Sequence, residues 1–214
     1  MVDELELLKK DWQKKEAQLP KLTYDEIYKM IWKKSSSIVK WIFYISLIEF
    51  VFWAGLNILF SDAESMEELK AMHIHTAIIV LNLINYGIIL YFIYKFYTNY
   101  RKISFTDSSK KLMKTILDVK RTVTQYVWFN LAIFTVSMII SIYGILIYDS
   151  KGQQIVENAV QNGDTTIFWV MVVIISIVLI ALLLLLIWLF YRLLYGILLK
   201  RLKQNYRELE QLEV

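Results

Sequence analysis

The chain has 214 residues, of which 57% are hydrophobic, 15% aromatic and only 21% charged, with a formal net charge of +4 and a mean hydropathy of +0.45. A soluble domain carries about 45–50% apolar and about 25% charged residues, so a soluble globular fold is excluded, and so is intrinsic disorder as the main state. The absence of cysteine removes disulfide scaffolds and thiolate chemistry, and one proline with six glycines leaves little material for turn-rich β structure.

Residues 2–19 set Leu5, Leu8, Trp12 and Leu19 on one helical stripe, and Pro20 ends that helix. Thr23 and Glu26 have the spacing of a capping box, in which hydroxyl and carboxylate each satisfy an orphan backbone donor. A second short helix is expected to carry Ile27, Met30 and Ile31 inward and to run toward the first span. The first 37 residues are highly charged and lack an apolar signal-peptide core, so the first span is expected to act as its own insertion signal.

A bilayer core about 30 Å thick needs about 20 apolar residues in helix. Four stretches qualify: residues 38–60, 74–94, 126–148 and 167–190. The first is interrupted by Glu49 after the interfacial Lys40. The fourth has no charge and contains an unbroken leucine run over 182–186. None alternates in polarity as a transmembrane barrel strand would. Residues 61–73 and 149–166 are then outer loops, and 95–125 is a connection on the inner side.

That connection carries Leu112, Ile116, Val119, Val123 and Tyr126 at a 3.6-residue period, with Thr106 or Asp107 as the expected cap. No breaker separates it from the third span, so one rod of roughly 60 Å is expected from about residue 108 to 148. The fourth span is expected to continue likewise, since Leu198, Leu202, Leu209 and Leu212 follow at heptad-compatible spacing with Asn205 in the same seam. The fold class is an all-α integral membrane protein: four transmembrane helices with helical cytoplasmic extensions.

Counting the interfacial Lys40 with the segment before the first span, all of the 24 basic residues except Lys70 and Lys151 lie in that segment, in the middle connection or in the tail. Asp62, Glu64, Glu67, Glu68, Asp149, Glu157 and Asp164 lie on the other side. The positive-inside rule places both termini in the cytoplasm, as for a bacterial inner-membrane protein. Trp41, Tyr44, Tyr94, Tyr97, Tyr126, Trp128, Trp188 and Tyr191 mark the inner boundary, and Tyr148 and Trp169 the outer one.

Glu49 is the most informative single residue. It sits eleven residues into its span, near the expected midplane, where a carboxyl must face protein or water. Asn82 and Asn85 share a face of the second span at similar depth, as do Ser137 and Ser141 in the third and Ser176 in the fourth. Such a polar cluster either fixes register, with Glu49 bonded to Asn85 or a neighbour, or forms a proton or cation site. Ser137, Ser141 and Gly144 also form a small-residue seam suited to close helix packing. His73 and His75 point about 200° apart in a helix, so no metal site is expected.

The stripes Leu5, Leu8, Trp12, then Leu112, Ile116, Val119, Val123, then Leu198, Leu202, Leu209 each need covering. They pack on one another, dock a protein partner or second copy, or rest a basic face on anionic lipid. No phosphate loop, nucleophile elbow or zincin motif is present, and no nucleic-acid-binding motif accompanies the basic clusters. No cofactor is expected.

The run Glu4-Leu5-Glu6-Leu7-Leu8-Lys9-Lys10-Asp11-Trp12-Gln13, followed by Ser35-Ser36-Ser37-Ile38-Val39-Lys40-Trp41, resembles an uncharacterised family of small four-span membrane proteins from flavobacteria and their relatives. Some members carry a carotene-oxygenase label, which implies an iron held by four histidines; this chain has two. The resemblance also implies an association with envelope or sigma-factor regulation. The expected function is that of a non-enzymatic inner-membrane protein acting through protein–protein contacts of its cytoplasmic helices. The alternative is a small transporter or ion pathway using Glu49.

Overall fold

The computed structural model describes residues 23–59, 75–104, 108–161, 163 and 165–212, together with residues 6 and 8–10. From residue 23 onward the described residues form, in order, α1 Tyr24–Leu59, α2 His75–Ser104, α3 Ser109–Tyr148, α4 Ser150–Gln161 and α5 Thr165–Leu212. All except α4 contain a stretch long and apolar enough to cross a membrane. The protein is an all-α, multi-pass membrane protein.

The capping box forms as expected. The Thr23 backbone N–H donates to Glu26 Oε2 at 2.8 Å, and the Glu26 N–H donates to the Thr23 hydroxyl at 3.4 Å. The Thr23 backbone N–H and the Thr23 hydroxyl, which donates to Glu26 Oε2 at 3.0 Å, hold the exposed Glu26 carboxyl below the usual carboxylate range, the backbone bond contributing most. From this cap α1 runs 36 residues without a break, so the expected short helix and the first span are one rod. Ile31 is buried, but Met30 is 42% exposed and does not face inward. In its place Trp32 docks, its indole N–H donating to the Ile103 carbonyl of α2 at 2.8 Å.

The two expected rods are present: α3 has 40 residues and α5 has 48. At 1.5 Å per residue they span roughly 60 and 72 Å. The cap of α3 differs from expectation. Ser108 occupies it in an extended conformation without a side-chain cap bond, while Thr106 and Asp107 lie outside the described residues. The middle connection is also more helical than read, because α2 continues past the second span to Ser104. The outer segment read as a loop contains α4, whose start is fixed by the Asp149 carboxylate accepting from the Gly152 N–H at 3.1 Å. Gly152 lies so close to α3 that a Cβ there would collide with the Ile145 carbonyl oxygen. Gly163 then turns the chain into α5 with φ +77°, a left-handed conformation that favours glycine.

Helices α1, α2, α3 and α5 pack in a ring, each antiparallel to its neighbours. Their facing seams advance in three- and four-residue steps, the spacing that keeps one helical stripe turned to a common axis. On α1 the seam is Ile31, Ser35, Val39, Ile42, Ser46 and Glu49; on α2 it is Ile89, Phe92, Phe96, Asn99 and Ile103. On α3 it is Leu112, Ile116, Val119, Val123 and Tyr126; on α5 it is Tyr191, Tyr195, Leu202, Asn205 and Leu209. Each fully buried aliphatic side chain here contributes about 1.5–3 kcal/mol.

This core sits almost wholly at the basic end of the bundle. No α5 residue before Tyr191 and no α1 residue after Glu49 is buried. The division has a physical cause. Apolar faces in water must be covered by protein, whereas lipid tails cover them equally well. The level of Glu49 and Tyr191 is therefore where the amphipathic bundle gives way to the apolar one. Basic side chains lie over aromatic rings near it, with Arg192 5.0 Å from the Trp188 ring and Lys95 5.1 Å from the Tyr91 ring.

Candidate ligand site above Glu49

Glu49 is the last buried residue of the α1 seam, only 6% exposed. Tyr191 and Tyr195 are four residues apart on α5, so both phenols project from one face. Tyr191 donates to Glu49 Oε1 at 2.5 Å and Tyr195 donates to Oε2 at 3.0 Å. Both carboxyl oxygens thus accept a phenolic O–H. These two rings stack on each other at 6.0 Å, and Tyr126 of α3 packs against both, its centroid 6.1 Å from each in edge-to-face geometry. Phe92 and Phe96 of α2 support Tyr126 at 5.4 and 5.6 Å. All four long helices contribute to this one layer.

Glu49 is level with the end of the α5 apolar run and not with its middle. Tyr191 is the first residue beyond the apolar run 167–190 and precedes Arg192, and Glu49 is level with it. The hydrogen-bond partner differs too: Glu49 pairs with phenols of α5, and not with Asn85. Counting position along the apolar stretch does not reveal this level, because Val39 and Ile42 are apolar residues of the protein core.

Away from the basic end, the helices part above this layer and leave a cavity of about 540 Å³. Glu49, Tyr126 and Tyr191 form its floor. Its polar wall is Asn57 of α1, Asn82 and Asn85 of α2, and Asn130 and Ser137 of α3. Its apolar wall includes Phe50, Trp53, Phe134 and Phe190. The side-chain amide of Asn130 donates to the Tyr126 carbonyl at 2.8 Å. The amide oxygen of Asn85 is buried and has no hydrogen-bond partner, a condition that costs about 1–3 kcal/mol unless something else supplies a donor. Apolar walls with a few converging polar groups are the usual make-up of a small-ligand site.

Of the expected polar cluster, Glu49, Asn82, Asn85 and Ser137 come together here, whereas Ser141 and Ser176 do not line the cavity. Asn57, Asn130 and the three tyrosines were not singled out as site residues. Tyr126 and Tyr191 read as boundary aromatics, and the four-residue step from Tyr191 to Tyr195 was the available signal. Among the described residues no group of three or more His, Asp or Glu could hold a metal ion. His73 lies outside the described residues, and His75 begins α2.

Of the alternatives for the stripes, packing on one another is what those of α3 and α5 do. Leu112, Ile116, Val119, Val123, Leu202 and Leu209 are buried in the chain's own core, with Leu198 packed against it. They are not a surface for a partner. Leu8 is 60% exposed, while Leu5 and Trp12 lie outside the described residues.

The model of one family, described as "Domain of unknown function (DUF8845)", matches residues 25–214. The chain belongs to this family. The match takes in all four long helices, and with them the Glu49 layer and the cavity. No curated protein and no solved structure matches the chain.

Proposed function

We propose that this member of the family is a small, non-enzymatic transporter or ion pathway of the bacterial inner membrane, in which Glu49 binds a proton or cation beneath a solute cavity. The observation that carries the reading is the joint placement of a buried carboxyl and an unpartnered Asn85 acceptor on one cavity of about 540 Å³. A carboxyl that only fixed register would need its two tyrosines and no space above it. Both termini lie in the cytoplasm in this reading, because the positive-inside rule assigns the basic end to that side.

The test is flux in liposomes. Purified protein is reconstituted, a pH or potassium gradient is imposed, and the wild type is compared with Glu49→Gln. Loss of at least tenfold in flux with unchanged thermal unfolding supports the proposal. Equal flux from both proteins removes Glu49 from the mechanism. The orientation is tested separately with Lys203→Cys, a unique thiol in this cysteine-free chain. Labelling of intact cells by an impermeant maleimide would refute it.

A second reading, regulation or scaffolding through the cytoplasmic helices, is favoured by the unbroken courses of α3 and α5 from the apolar layer into the basic-end core. A shift at the cavity would travel rigidly along both. Crosslinking in native membranes tests it. Recovery of one specific partner on the basic-end helices supports it, and recovery of self-contacts alone counts against it.

A further inference from the structure

A second cavity, about 530 Å³, lies between α2 and α3 on the basic side of the Glu49 layer, and nothing in the proposed function uses it. Lys95 and Lys102 enter it from α2 and Arg121 from α3, opposed by the single carboxylate of Asp118. Three neutral groups in its wall are engaged within the chain: the Thr98 and Thr122 hydroxyls and the Asn99 amide. The Thr122 hydroxyl donates to the Asp118 carbonyl at 2.8 Å and accepts from the Asn99 amide at 3.3 Å. The Thr98 hydroxyl donates to the Tyr94 carbonyl at 2.9 Å. Lys95 of α2 and Arg121 of α3 supply positive charge to this space from its two walls. Lys95 is held over the Tyr91 ring, and Arg121 offers a planar fork that matches phosphate oxygens two at a time.

Height in the fold decides the source of that phosphate. Gln125 lines the cavity beside Tyr126, whose ring belongs to the layer where lipid-covered helix gives way to the protein-covered seam. Tyr91 and Tyr94 lie at the same end of the cavity wall, as aromatic residues do at a headgroup boundary. Basic pockets between helices on this side suit anionic headgroups. We propose that the α2–α3 cavity binds the phosphate of an anionic phospholipid headgroup, with Lys95 and Arg121 as its principal contacts.

The test uses the full chain purified in detergent and native mass spectrometry with added dioleoylphosphatidylglycerol or dioleoylphosphatidylcholine. The proposal expects phosphatidylglycerol adducts at least tenfold more abundant than phosphatidylcholine adducts. Removing each cation should weaken the adduct by about fivefold. Lys95→Gln and Arg121→Gln should therefore each lower it, and the pair more, while Lys200→Gln with Lys203→Gln leaves it unchanged. If the pair fails to fold, the two single variants carry the test. Equal adducts in Lys95→Gln, Arg121→Gln and wild type would overturn the proposal. So would loss of the lipid adduct to millimolar inorganic phosphate, which would mark a site for free phosphate.

Discussion

Asn205 of α5 donates from its side-chain amide to the Ser35 hydroxyl of α1 across 2.9 Å, in a seam both share with fully buried aliphatic side chains. The two residues are 170 positions apart in the chain. With the Asn99–Thr122 contact and the Glu49 layer, the pair gives the bundle polar levels at three separate places. A buried polar pair is tolerated only in the register that joins its members, so these levels fix how the four rods align along their length.

Ser35→Ala should accordingly cost about 1–3 kcal/mol, the penalty of leaving the Asn205 amide buried without its acceptor. The double variant Ser35→Ala with Asn205→Leu should recover most of that loss, since an apolar pair of suitable shape leaves nothing unsatisfied. Thermal unfolding in detergent reads both. A double variant less stable than Ser35→Ala would mean that the pair adds stability directly and does more than set register.

In the Glu49 layer the two phenols are not equivalent. The Tyr191 bond is 2.5 Å and the Tyr195 bond 3.0 Å, and hydrogen bonds to a charged acceptor strengthen as they shorten. Tyr191→Phe should therefore destabilise more than Tyr195→Phe, each within about 1.5–3 kcal/mol. Glu49→Leu should be worse than either, because it leaves two phenols without their acceptor. Denaturation of the three variants in one detergent gives the ranking. Equal effects of the two tyrosine variants would show that length does not govern this pair.

The long rods were legible in the sequence because nothing between residues 108 and 148, or 165 and 212, breaks a helix. Glu49 was legible because one carboxyl in an apolar run is costly wherever it sits. Its level against α5 was not, since hydropathy cannot separate apolar residues facing lipid from Val39 and Ile42, which face protein. Its partners were hidden for a related reason. Tyr191 and Tyr195 look like aromatic anchors locally, and their bond to Glu49 spans more than 140 residues of sequence. Helix α4 was missed because its 12 residues are mostly polar and short, and only docking against α3 and α5 reveals it.

The cap of α1 makes a pH-dependent contribution whose sign follows from Glu26. Its folded pKa is depressed, chiefly by the Thr23 backbone N–H. Such a group stabilises the folded state above its unfolded pKa, and that contribution disappears as pH falls through the folded value. Fraying at the start of α1 should therefore increase on acidification below the ordinary carboxylate range and stay constant above it. Amide exchange of residues 24–28, corrected for intrinsic rates, reads the effect. Glu26→Gln should remove the pH dependence; an unchanged profile in that variant would assign it to another group.

Gly152 tests how α4 is seated. A Cβ at this position would collide with the Ile145 carbonyl oxygen and stand 3.2 Å from the Leu146 Cα. Both belong to backbone, which yields less readily than a flexible side chain. Gly152→Val should therefore lift the start of α4 from α3 while leaving the distant basic-end core intact. Because the chain has no cysteine, Val156→Cys supplies a single half-buried reporter on α4. Its maleimide labelling should accelerate several-fold when Gly152→Val is added, with thermal unfolding of the bundle nearly unchanged. Labelling at the original rate would show that α3 and α4 shift together to admit the side chain, and that the close approach is not required to hold α4 in place.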